Sequence, residues 1–119
     1  MKVVSAGDAF EHYIFKELIA YSELNEKHYE INYWRTKTGL EVDFVLDKGR
    51  ISIEVKISDN VVKQNIKGLV EFSKDYQPEK AIVVSLDPRR RKLIQENGTD
   101  ILIMPWQEFL EKLWAHEIL

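Results

Sequence analysis

The stretch Leu40–Ile57, LEVDFVLDKGRISIEVKI, constrains this chain more than any other. Two runs alternate apolar and polar residues and meet at Lys48-Gly49. Strand side chains point alternately to opposite faces, so each run reads as a strand. In the first, Val42, Phe44 and Leu46 share one face, while Glu41 and Asp43 take the other. In the second, Ile51, Ile53, Val55 and Ile57 share a face, and Ser52, Glu54 and Lys56 take the other. A two-residue turn, with Gly49 supplying φ > 0, pairs Asp47 with Arg50. Counting back sets Phe44 opposite Ile53, Val42 opposite Val55, Asp43 opposite Glu54 and Glu41 opposite Lys56. A slip of one residue would turn the isoleucines of one strand towards the acids of its partner, so the register is well specified. It has one cost. Like charges directly opposite destabilise a sheet, and Asp43 faces Glu54.

The rest of the chain supplies elements to cover this hairpin. Phe10, Ile14, Leu18 and Tyr21 recur at helical spacing, which predicts a helix over Asp8–Leu24. Asp8 is the expected cap, with Glu11 three residues on completing a capping box, and Asn25 marks the exit. Tyr29–Thr36 alternates and is rich in aromatics, so it reads as a strand, stopped at Thr38-Gly39. Asp59 is placed to cap a second helix over Val61–Asp75, with Val62, Ile66, Leu69, Val70 and Phe72 inward. Lys80–Leu86 is a near-continuous apolar run, the mark of a strand covered on both faces. Arg90–Glu96 reads as a short helix and Asp100–Met104 as a last buried strand. Gln107–Leu119 reads as an amphipathic helix packed through Phe109, Leu110, Leu113 and Trp114. This order predicts one α/β domain over residues 1–119, with an antiparallel meander, parallel crossovers and helices on both sides of a mixed sheet.

Composition narrows the function classes. No cysteine is present, which removes disulfides and thiolate metal sites and suits a reducing cytoplasm. No apolar run reaches the roughly 20 residues of a membrane span, and MKVVSAGDAF holds no signal-type apolar core. The net charge is −3, so binding of a polyanion would rest on local cations rather than on a basic footprint. The histidines His12, His28 and His116 have no metal-ligand spacing among themselves. There is no Walker A motif.

The polar face of the hairpin gathers Asp43, Glu54 and Lys56. Carboxylates on facing strands lie roughly 5 Å apart at Cβ, close enough to share a hard divalent cation. A lysine beside such a cation can hold a phosphate oxygen or a water, the equipment of metal-assisted phosphodiester hydrolysis. The competing reading is a solvated face on which Glu54 pairs with Lys56 or Arg50. Helices on either side of the hairpin weigh against it, because carboxylates on a covered face need a partner. Of the remaining polar residues, Glu11 has its capping role as an alternative, and Gln64 reads equally as surface. Tyr33 and Trp34 are expected in the core, with base stacking the alternative. Arg35 is placed for a phosphate or for an acid such as Glu41. The run Arg89-Arg90-Arg91-Lys92 is either a phosphate-tracking patch or a solvated face. A final helix whose apolar face outgrows the domain would form a dimer or inter-domain contact.

Taken together, Gly7-x-x-Phe10-Glu11 on the first helix, Asp43 on one strand and Glu54-x-Lys56 on the next resemble the PD-(D/E)XK, or restriction-endonuclease-like, nuclease superfamily. The closer resemblance is to the C-terminal domain of archaeal and bacterial AAA+-type ATPases. It is carried by Phe10-Glu11, Glu17-Leu18, Tyr33-Trp34-Arg35-Thr36, Gly39, Glu41-Val42-Asp43-Phe44-Val45, Ile53-Glu54-Val55-Lys56, Gly68-Leu69, Phe72, Pro105-Trp106, Phe109-Leu110 and Leu113-Trp114. Val42 stands where many superfamily members have proline. The resemblance implies an αβββαβ core and a Mg²⁺- or Mn²⁺-dependent nuclease acting on DNA, with RNA the alternative substrate. It also implies that the domain works beside an ATPase, in cis as the C-terminal part of a longer chain or in trans. By the same resemblance Asp43, Glu54 and the carbonyl of Val55 are the metal ligands. Lys56 is the catalytic lysine, and Glu11 and Gln64 assist. The alternative is a catalytically silent nucleic-acid-binding or regulatory module attached to that ATPase.

Overall fold

The structure, a computed structural model, describes residues 5–119. The first helix, α1 (Ala6–Leu24), is capped by Ser5, whose Oγ accepts the Asp8 N–H at 3.1 Å. This corrects the expected capping box. Asp8 lies inside the first turn, where its charge suits the helix N-terminus, and Glu11 is left free of any capping duty. The serine wins because it stands immediately before the first helical residue. Asn25 closes the helix as expected, with its N–H and its Nδ2 both donating to the Tyr21 carbonyl.

The sheet has six strands: β1 (Ile31–Arg35), β2 (Glu41–Leu46), β3 (Ile51–Val55), β4 (Lys80–Ser85), β5 (Arg91–Leu93) and β6 (Ile101–Pro105). Their spatial order is β1-β2-β3-β4-β6-β5. The first three form the expected meander, β3, β4 and β6 run parallel, and β5 returns antiparallel along the edge. The turn between β2 and β3 is as read from sequence. Arg50 N–H donates to the Asp47 carbonyl, and Lys48 and Gly49 both hold positive φ. Arg50 also reaches Asp47 and Glu79 at 2.6 Å each.

Helices cover both faces. On one side α1 and α3 (Trp106–Trp114) bury Ile14, Leu18, Tyr21, Phe109 and Leu113 against Phe44, Leu46, Ile51 and Ile53. On the other, α2 (Lys67–Tyr76) buries Leu69 and Phe72 against Val83, Ile101 and Ile103. Gly68 allows the closest of these approaches, because a Cβ there would collide with the Glu41 backbone. The fold is therefore the mixed α/β sheet flanked by helices that the element order predicts.

Several local expectations change. The second helix opens with a separate 3₁₀ turn, Lys63–Ile66, in which Asn65 rather than Asp59 accepts the Val62 N–H. Val62 is exposed rather than inward. The predicted Arg90–Glu96 helix is β5 instead. Its polar run has no helical period, and the otherwise open edge of β6 offers Arg91, Lys92 and Leu93 backbone partners. Tyr33 is 68% exposed, not core, whereas Trp34 packs against Phe72 and Tyr76.

The most consequential change lies in β2. Asn32 pairs with Val45 but Trp34 pairs with Val42, so Asp43 and Phe44 together oppose the single residue Tyr33. This is a β-bulge, and it reverses the alternation. Val42 joins the α2-side core, while Phe44 and Leu46 stay in the other. The expected ladder pairs of Val42 with Val55, Asp43 with Glu54 and Glu41 with Lys56 do not form. The β2–β3 ladder ends at Phe44–Ile53, and Lys56 instead donates its N–H to Val84 of β4.

Candidate functional site

The break in the sheet is where the two acids sit. Beyond Phe44–Ile53 their side chains take over the work of the ladder. Asp43 Oδ2 accepts the Val55 N–H at 2.8 Å, and Glu54 Oε1 accepts the Asp43 N–H at 3.3 Å. The bulge explains why this end is free to open. It releases Asp43 from regular pairing with β1 just where the β2–β3 ladder stops.

Glu54 is 4% exposed, on a strand whose five residues are all buried. Burial is the main reason its carboxyl is pushed up to about 10. The adjacent Asp43 adds to this through a shared hydrogen bond and its negative charge, and Lys56 opposes it. Glu54 therefore keeps its proton at neutral pH. That proton is how the chain tolerates facing like charges. Asp43 and Lys56 are both half-buried.

The acids open into a cleft of about 460 Å³, lined on its polar side by Asp8, Glu11, Arg35, Glu41, Asp43 and Lys56. Glu11 arrives from α1, and its carboxyl is raised by desolvation first and then by Asp43, Asp8 and Glu41, with Lys56 working the other way. The main-chain stretch Val55–Lys56 borders the same cleft. The structure thus brings together Glu11, Asp43, Glu54, Val55, Lys56 and Arg35. Arg35 is committed within it, with Nε 3.2 Å from Glu41 and its guanidinium over the Tyr33 ring. Gln64 is exposed on the 3₁₀ turn and is not among the cleft-lining residues.

The basic run is elsewhere and divided in its commitments. Arg91 pairs with the buried Asp87 and donates to the Val61 carbonyl at 2.7 Å, and Arg90 pairs with Glu108 at 3.0 Å. Arg89 and Lys92 are exposed. Asp8 and Glu41 also line the site, where the sequence reading gave Asp8 a capping role and Glu41 only a pairing with Lys56 or Arg35. The signal for Asp8 was its i,i+3 spacing from Glu11, which sets both on one helix face.

The donor chemistry bears on whether a cation fits. Each of Asp43 and Glu54 spends one oxygen on a main-chain amide and keeps the other. Two hard oxygen donors lining the cleft suit Mg²⁺ or Mn²⁺, which take few protein carboxylates and retain waters. Among the described residues no cluster of three His, Asp or Glu side chains is poised as a complete ligand set. A cation here would accordingly depend on this pair, the neighbouring carbonyl of Val55 and water.

Comparison with known proteins gives one match. The family model described as a domain of unknown function (DUF4143) covers residues 6–109. No curated protein and no solved structure matches the chain.

Proposed function

This chain belongs to the DUF4143 family, a domain of unknown function, and from that footing we propose a divalent-metal-dependent nuclease that hydrolyses DNA phosphodiester bonds. The observation that carries the reading is a buried glutamate, Glu54, held against Asp43 at a break in the sheet, with Lys56 and Glu11 in the same cleft. A buried carboxyl pair is costly unless something offsets it. A proton does so in the free chain, and a hard cation would do so more fully.

In this reading Asp43, Glu54 and the Val55 carbonyl hold Mg²⁺ or Mn²⁺. When bound, such an ion lowers the pKa of a water and offsets charge on the phosphate. Lys56 lines the same cleft and would position the attacking water or a phosphate oxygen. Glu11, its carboxyl raised above the ordinary value by desolvation and by the neighbouring acids, is the group placed for proton transfer. Water adds to phosphorus, the P–O ester bond breaks, and the departing oxygen takes a proton. Arg35 supplies positive charge for the strand at the cleft, and Arg89 and Lys92 stand apart from it. Action beside an AAA+-type ATPase, in cis or in trans, belongs to the same proposal.

One observation favours a second reading, a silent binding or regulatory module. Both carboxylates already accept main-chain amides, which suffices to make them a structural staple. Calorimetry with Mn²⁺ alone, followed by cleavage assays on plasmid, branched DNA and RNA, separates the two. The nuclease reading expects Mn²⁺ binding that Asp43→Asn abolishes, and cleavage that falls about 100-fold or more in both Asp43→Asn and Lys56→Ala. No heat of binding and no cutting of any substrate would leave the module reading standing.

A further inference from the structure

Beside the acidic cleft lies a second lobe of about 410 Å³ that shares Asp8, Glu11, Arg35, Glu41 and Asp43 with it. Its other walls differ in kind. They bring in His12 and Phe15 of α1, Tyr33 of β1 and Phe44 of β2. Phe15 and Phe44 stack nearly parallel, 5.7 Å apart, and form an apolar floor. Tyr33 stands opposite the bulge, 68% exposed, with the Arg35 guanidinium 4.9 Å from its ring centre. Glu41 holds Arg35 in turn. A lone exposed tyrosine needs no explanation. This one joins three further rings and a guanidinium in a concavity that opens onto Asp43.

We propose that this lobe is a nucleobase subsite, which takes one unpaired base of a single strand next to the phosphate lying at Asp43 and Lys56. The inference rests on the reading of the cleft as a phosphodiester site and specifies its substrate as single-stranded nucleic acid. Aromatic side chains and arginine planes bind bases by stacking, with little sequence preference. A base inside a continuous duplex has both faces covered by its neighbours and has none to offer. The volume lies within the range of small-ligand pockets and exceeds what one base needs. The acidic rim repels a bare phosphate, so a cation at the neighbouring carboxylates and a base in this lobe would act together in holding a strand.

The test uses the full chain and fluorescence anisotropy with labelled oligothymidylate, oligouridylate and a matched DNA duplex, in Ca²⁺ and again in EDTA. The expected result is tighter binding of at least one single strand than of duplex. Tyr33→Ala should weaken it about tenfold, with Tyr33→Phe and Tyr33→Trp restoring it. Tyr33 is exposed enough for all three variants to fold, which circular dichroism verifies. Equal affinity of wild type and Tyr33→Ala overturns the subsite, as does a preference for duplex or no binding of either strand. Calorimetry with Mn²⁺ alone reports on the metal reading separately. Retained Mn²⁺ binding in Tyr33→Ala, beside unchanged strand affinity, would remove the subsite and leave the metal reading intact.

Discussion

At the scale of single residues, Glu54 decides how this domain responds to pH. Its carboxyl is raised above the ordinary glutamate value because it is buried and then because Asp43 lies beside it. The folded chain therefore keeps a proton that the unfolded chain releases. The sign follows from linkage. Stability associated with Glu54 is greatest below the unfolded value near 4.5 and declines as pH rises towards the folded one. The slope is at most about 1.4 kcal/mol per pH unit for one proton. Glu54→Gln carries the hydrogens permanently and should flatten this decline. Urea midpoints at about pH 5 and pH 8 check it, since the wild type should lose more than the variant between them. The positions of Asp43 and Glu54 near one another were legible in the sequence, because the matched apolar pairs from Phe44–Ile53 to the turn left only one register. Glu11 was legible as an acid but its role was obscured. The capping box assigned to Asp8 depended on choosing among neighbouring N-cap candidates, and Ser5 is the residue that caps.

Among the elements, α2 and β2 meet most closely at Gly68. Gly68 lets the helix backbone lie against Glu41, two residues before Asp43. Gly68→Ala should force the helix outward and cost about 1–3 kcal/mol, measured as a lowered urea midpoint. If the acid pair binds Mn²⁺, that affinity should fall as well, because Glu41 and Asp43 share a short strand. Elements with a strong period were readable without coordinates, as α1, α3 and the β2–β3 hairpin show. The 3₁₀ turn at Lys63–Ile66 and strand β5 were not. Their residues carry no distinct period, and each takes its shape from what lies next to it. Asn65 accepts the Val62 N–H, and the bare edge of β6 recruits Arg91–Leu93.

In the whole molecule, α1 and α3 on one face and α2 on the other enclose the centre of the sheet and leave its edges thin. Every residue of β3 is buried, as are all but the first of β4, whereas β1 and β5 have outer edges and exposed side chains. Hydrogen exchange should follow that gradient. Amides of Ile53, Val83 and Val84 should open only with global unfolding, while those of Tyr33 and Lys92 should exchange orders of magnitude faster. The layering was legible from the order of elements, since long crossovers demand parallel neighbours. The bulge was not. Polar and apolar residues alternate from Glu41 to Phe44, and only the mismatch with β1 shows that one residue is extra. Its consequence is mechanical. With Val42 anchored in one core and Phe44 in the other, β2 passes through the sheet like a stitch joining two fabrics, and Asp43 is the thread between them. Loosening either layer displaces the same residue, so the acid pair depends on both cores as well as on its own hydrogen bonds.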